Sequence, residues 1–495
     1  MSSNHPLQYI NARNPLIRQT SDSDLLHPGG HIYNMKTSHD GRILATASTG
    51  GSVRLWNTNN SQLIYELRIP PSLTTVQINP INESEDTEPI TKHVIDEFYF
   101  VEFSPDDKIV VVGGKRKDRH EWDPLDDDNK ILACPLVLFD LNAIVEDKDE
   151  DGVKDYHVPT KAVSILSGHT EEVLCIQSIK YNDEFYYVTG SYDGSIIKWK
   201  MKEDYKTLDG NFTQILDGKT NVVLSIEQIP NTKYLITGAD SYIKVYDFEK
   251  ETLIYEFETE YSEYCDCVRL LQPVGDNSYQ ILTRGIEVLH KETNLPSQPN
   301  MVHLRELTFS EHSSPVKSSK TKKQNQWNIK TISTFKHPEY LSNSWLTKIN
   351  TSFNKRYLFA PTSNGKVFIW NIQTNKLAAV LHDHADEEVR DVTIHPTKNL
   401  LLTCGDDAKA KIYKSEPKEG RDKVPQAVVE EPVVRRSNST SGPKLVGRKQ
   451  TEEEREMAMN KMDVDETEQS LEEEEEEQSL EDNDSDYGQE IKTKK

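Results

Sequence analysis

The 495-residue chain has no run of 18 apolar residues, and its hydrophobic share is only 35%. A helix crossing a bilayer needs about 20 such residues, so no membrane contact is expected. The start, "MSSNHPLQYINARNP", lacks a charged opening followed by an apolar core. A secretory leader is therefore not expected. Cysteine is scarce: Cys134, Cys175, Cys265, Cys267 and Cys404 are odd in number and scattered. They argue against a disulfide framework and for a reducing compartment, nucleus or cytoplasm or both. Cys265 and Cys267 would point the same way from a strand, but no second Cys or His pair stands at ligand spacing, so no metal is expected. A phosphate-cradling Gly-rich loop, His-Glu-x-x-His and Gly-x-Ser-x-Gly are all missing. The expectation is a protein that is not an enzyme and carries no cofactor.

What is abundant is negative charge, and it is unevenly placed. The net charge is −24. Thr451 to Glu490 holds 19 acidic residues against Arg455 and Lys461, a local −17, which leaves −7 for the remainder. The body shows no clustered basic face, so sequence-specific nucleic-acid binding is not expected.

One stretch, "SGHTEEVLCIQSIKYNDEFYYVTGSYDGSIIKWK" (Ser167–Lys200), serves as a ruler. His169, Thr189, Asp193 and Trp199 are 20, 4 and 6 residues apart. His384, Thr403, Asp407 and Tyr413 repeat the pattern at 19, 4 and 6. So do His27, Thr46, Gly50 and Trp56. Asn364–Trp370 and Asp240–Tyr246 keep the final spacing of six. Two weaker copies run from Phe98 to Asp140, with an insertion, and from Cys267 to Glu292, without an aromatic at the end. Each copy reads as short apolar strands separated by Gly, Asn or Asp turns.

Seven such copies, between His27 and Lys414, resemble the WD-repeat family of β-propellers. The resemblance implies an all-β fold: seven four-stranded antiparallel blades in a closed ring, which leaves only short, protected edges. It also implies a structural hydrogen-bond chain. Asp193 would orient His169, His169 would bond Thr189, and Thr189 would bond the Trp199 indole. His384, Thr403, Asp407 and Tyr413, and His27, Thr46 and Trp56, would do the same. Family members commonly close the ring with an N-terminal strand. "NPLIRQTSDSDLLH" has that form, and residues near Leu16 to Gln19 are expected to complete the last blade.

The resulting organisation is a flexible stretch 1–13, a propeller over 14–414, and a disordered tail 415–495, basic and then acidic. Insertions are expected at 115–132, 147–159 and 295–326. The first holds Arg116, Arg119, His120 and Trp122, candidates for partner binding because Arg and Trp dominate binding hot spots. The second superficially resembles a calcium loop but lacks the Glu at the twelfth position, so it is not read as one. Ser314, Ser439, Ser470, Ser479 and Ser485 are candidate phosphorylation sites, Ser314 before a proline and the last three before acidic residues.

The family resemblance implies a scaffold or adaptor, expected as a monomer within a larger, nuclear assembly concerned with chromatin, transcription or ribosome building. An acidic tail suits basic partners such as histones or ribosomal proteins. Two alternatives are weaker. A cullin-type substrate receptor carries Trp-Asp-x-Arg, where this chain has "WNTN", "WKMK" and "WNIQ". A phosphoinositide-binding propeller carries Phe-Arg-Arg-Gly, where this chain has "LTRG", Leu282 to Gly285.

Overall fold

The computed structural model describes residues 7–9, 25–26, 30–70, 73, 97–116, 120–121, 130–131, 133–148, 154–310, 326–398 and 400–417. Among them, seven antiparallel sheets follow one another along the chain. Blade 1 covers 32–67, blade 2 97–169, blade 3 173–215, blade 4 223–258, blade 5 264–335, blade 6 350–382 and blade 7 389–417. Many strands are buried on both faces, which is why they read as continuous apolar runs rather than alternating ones. Cys134–Asp140 is buried along its whole length, as is Tyr234–Ala239.

Packing shows that the ring is closed. Every neighbouring pair of blades shares its own apolar cluster, including the last pair. Blades 6 and 7 meet through Phe359, Ile369, Val392 and Leu401. Blades 7 and 1 meet through Leu402, Ile412, Ile32 and Trp56.

The closing strand comes from the N-terminal segment. Leu25 and Leu26 pair antiparallel with Ala410 and Lys409, and Leu25 is buried in the blade 7–1 cluster. Leu7–Tyr9, expected to lie in a flexible arm, pairs with Ser415 to Pro417 farther along the same strand. The third strand of blade 7 accordingly runs to Pro417. Residues 16–19 lie outside the described residues.

A second recurring feature was invisible in the sequence. The innermost strand carries a register shift near its start in six blades, as between Ile32 and Asn34, Phe98 and Phe100, and Val389 and Asp391. A bulge inserts one residue and re-aims the side chains that follow. Asn34, Phe100, Cys175, Ser225 and Asp391 consequently line a central cavity of about 370 Å³. The same irregularity in blade 5 corrects the expectation for the close cysteine pair. Cys265 packs toward blade 4 and Cys267 toward blade 6, on opposite faces of their sheet.

Blade 5 also departs from the expected boundaries. The repeat that contains Cys267 extends well beyond Glu292. Its third strand is Val302–Ser310 and its fourth Gln326–Phe335, so the segment 295–326 is only partly an insertion. Similarly, 147–159 takes part in a ribbon in which Val145–Lys148 pairs with Lys154–His157.

Candidate functional site

The recurring polar residues come first, because their chemistry decides whether they are available for a reaction. In blade 3, Trp199 Nε1–H donates to Thr189 Oγ1 at 2.9 Å. The Thr189 hydroxyl therefore directs its own proton to His169 Nε2, 2.7 Å away. That leaves His169 Nδ1–H to donate to Asp193 at 3.0 Å. One tautomer satisfies all three contacts. His169, Thr189 and Trp199 are all buried. Blade 7 repeats the arrangement: His384 lies 2.7 Å from Thr403 and 2.9 Å from Asp407. The Tyr413 hydroxyl bonds Thr403, as expected, and also reaches Asp383 at 3.5 Å. In blade 1, Trp56 donates to Thr46 at 3.0 Å, and His27 lies outside the described residues.

Among the described residues these chains are structural supports rather than reactive triads, since His169 and His384 are buried and bonded at both ring nitrogens. His169→Ala is expected to cost about 3 kcal/mol, because it leaves two buried partners unsatisfied and a cavity behind. Chemical denaturation of the full chain measures this. The pH dependence follows from Asp193. Burial opposes its ionisation, but the contacts of His169 and Ser195 prevail and hold its carboxyl at about 2. An ordinary aspartate titrates near 3.9. Its stabilisation is thus present above about pH 4 and drains as the pH falls toward 2. Asp193→Asn should flatten that part of the acid-unfolding curve.

Blades 4 and 5 solve the same problem with other residues. In blade 4, Asp217 accepts from the Tyr246 hydroxyl at 2.9 Å and from Lys244 at 3.3 Å. In blade 5, Arg305 stands where the aromatic stands elsewhere, two residues beyond the partner of the strand-two threonine. Arg305 Nε donates to Thr283 Oγ1 at 3.1 Å, and its guanidinium pairs with Glu260. The sequence ruler missed Arg305 because the connection 287–301 displaces the strand. The run "VHLRELTF", with buried Val302, Leu304 and Leu307, was the signal.

The connection from blade 5 to blade 6 plugs one end of the channel. Leu346 is buried against Leu174, Val222 and Phe100, from other blades. Its φ of 59° is in the left-handed region, a costly place for a bulky side chain. Two cations hold the plug. Lys348 Nζ donates to the carbonyl of Leu224 at 3.0 Å and lies 5.1 Å from the centre of the Phe100 ring. Arg284 is fully buried. It pairs with Asp266 and donates to Ser342 Oγ at 2.9 Å and to the carbonyls of Ser342 and Ser344 at 2.6 and 2.9 Å. Arg284 is the sole arginine of "LTRG". It is committed to the plug, so it does not face a lipid headgroup.

Around the plug lies a mouth rich in aromatic and acidic side chains. Tyr192 of blade 3 stacks on Trp345 at 6.0 Å, and Trp345 packs on Tyr264 of blade 5 at 4.5 Å. Across the mouth, Tyr33 and Tyr99 lie 5.2 Å apart. Arg390 sits 4.6 Å over the Tyr33 ring, pairs with Asp406 at 2.7 Å and Glu388 at 3.1 Å, and donates to the Trp345 carbonyl. Burial, and then the carboxylates of Glu97 and Glu172 among others, push the Tyr99 hydroxyl far up.

The other expected site residues divide. Arg116 directly follows the second strand of blade 2, Ile109–Lys115, and is buried; its Nε and Nη2 have no hydrogen-bond partner among the described residues. His120 belongs to a two-residue strand, His120–Glu121, paired with Lys130–Ile131. Arg119, Trp122, Ser314, Ser439, Ser470, Ser479 and Ser485 lie outside the described residues. Among the described residues no helix is long and apolar enough to cross a membrane.

Comparison with known proteins agrees with this geometry. Residues 24–57, 160–200, 210–247 and 375–414 match the family described as "WD domain, G-beta repeat". A WD repeat-containing protein of Dictyostelium discoideum is 25% identical over 188 residues, 37% of this chain and 30% of that protein. WD repeat-containing protein 44 of Xenopus laevis is 22% identical over 376 residues, 72% of this chain and 35% of that protein. The chain thus spans about a third of the length of these relatives.

Proposed function

Because this chain is a WD-repeat β-propeller, we propose that it is a non-enzymatic scaffold that holds proteins together through the plugged face of its ring. The observation that carries this reading is the exposure of apolar side chains on that face. In an antiparallel meander, the connections between blades and those between second and third strands emerge at one end. There Leu216 is 60% exposed, Leu295 57% and Tyr192 46%, beside Leu341. Several exposed apolar groups on a face are what a docking partner covers, although Phe353, in a connection between first and second strands, is exposed at the opposite end. The His and Asp residues that would suggest catalysis are occupied in buried chains.

The assembly is a nuclear one, of the chromatin, transcription or ribosome-building kind, and the acidic segment 451–490 contacts its basic members. The charge argument supports this. A cullin-type receptor is disfavoured by the missing Trp-Asp-x-Arg, and a phosphoinositide reader by the burial of Arg284. Crosslinking mass spectrometry on the endogenous protein tests the proposal. Crosslinks should join lysines near the plugged face to other proteins, and Tyr192→Asp should release them. A protein recovered alone, with no crosslinked partner, overturns it.

A further inference from the structure

We infer that the mouth around Trp345 docks an arginine or lysine side chain from an extended basic segment of the partner protein. This rests on the docking reading above and adds the chemistry of what docks.

The mouth has two similar halves. In one, the Tyr33–Tyr99 pair faces Glu388 and Asp406, and Arg390 fills it, over an aromatic ring and against two carboxylates. In the other, Tyr192, Trp345 and Tyr264 form the aromatic wall, with Glu263 and Asp240 beside it. Among the described residues no Lys or Arg lies over these three rings or pairs with Glu263 or Asp240; Arg390 reaches this half only at the Trp345 carbonyl. Among the described residues Asp240 accepts only from the backbone N–H groups of Asn221 and Val222. Glu263 has no hydrogen-bond or ion-pair partner for its carboxylate among the described residues, and burial pushes its carboxyl up. Burial, then Tyr192, Glu263 and Asp240, raise the Tyr264 hydroxyl, which places these groups in one neighbourhood.

An aromatic face attracts a cation through its quadrupole, and a nearby carboxylate adds charge. Arg390 demonstrates the geometry a few ångströms away. Phosphate-bearing ligands are repelled by the same carboxylates, so the occupant is a basic peptide rather than a nucleic acid. The exposed edge belongs to Tyr192, which lets an extended segment approach along the face.

The test uses the full-length chain. The probe is a fluorescein-labelled nonapeptide of alternating glycine and arginine; its control carries neutral citrulline in place of arginine. Anisotropy is read at physiological salt for the unaltered chain, for Tyr192→Ser, for Glu263→Gln, and for a chain with Glu472 to Glu477 all changed to Gln. The arginine peptide should bind about tenfold tighter than the control, and each mouth substitution should weaken it about fivefold. Neutralising the tail should matter less than either. Unchanged thermal midpoints confirm that the variants are folded, as expected for side chains that are partly exposed. Equal binding of the two peptides overturns the inference. So does binding that is lost with the tail charges and kept in both mouth variants. Binding that appears only after residues 433–449 are removed assigns the site to this chain's own basic segment, and overturns the partner reading. If Tyr192→Ser loses its crosslinked proteins while peptide binding is unmoved, docking stands and only the cationic chemistry fails.

Discussion

Arg284→Met is expected to lower the stability of the propeller by about 3–5 kcal/mol, the usual cost of removing one partner from a buried ion pair. The loss has two sources. Asp266, fully buried, would keep a carboxylate with only Lys348 left as a counter-charge; burial already pushes its carboxyl up, and Arg284 is the largest opposing influence. The carbonyls of Ser342 and Ser344 would lose donors in the same step. Leu346 would then have less to hold it in its left-handed conformation, and the plug should loosen before the blades do. Urea denaturation reports the free energy, and limited proteolysis between 341 and 348 reports the loosening. Adding Asp266→Asn should restore part of the loss, because the orphaned charge disappears. A single variant within about 1 kcal/mol of the unaltered chain would mean that the plug does not depend on this pair.

Removing residues 1–26 should be costlier still. The third strand of blade 7 would lose both of its outer partners, Leu7–Tyr9 and Leu25–Leu26. Leu25 would leave the cluster that joins blades 7 and 1. Loss of a buried leucine costs about 2–5 kcal/mol, and each ladder hydrogen bond adds about 1 kcal/mol. Because every blade packs on two neighbours, an open seam exposes apolar surface on both sides. The expected result is a chain that loses its sharp thermal transition and aggregates, whereas removal of residues 1–6 leaves the midpoint unchanged. A chain lacking 1–26 that melts at the original temperature would show that the seam holds without its closing strand.

The ring was readable because its turns recur at fixed distances. His169, Thr189, Asp193 and Trp199 sit close in sequence, and two strands of a single blade bring them together. Arg284, Arg305 and Lys348 were not readable. Each works through contacts between blades, and no spacing rule reports on those. Arg305 was hidden further by the long connection before Val302. Tyr192 was visible in the turn of the reference repeat, but its partner Trp345 comes from three blades away, at the other side of the channel. The opposite facing of Cys265 and Cys267 depends on a bulge, which a strict two-residue alternation does not anticipate.

The central claim is that the ring is one closed body, sealed by its own N-terminal segment. Hydrogen exchange followed by mass spectrometry on the full-length chain tests it most directly, through the peptides that contain Leu25–Leu26 and Leu400–Pro417. The account predicts that their slowest amides exchange together with those of blades 3 and 4, at the rate of global unfolding. Exchange of these peptides within seconds, while blades 3 and 4 stay protected, would contradict it.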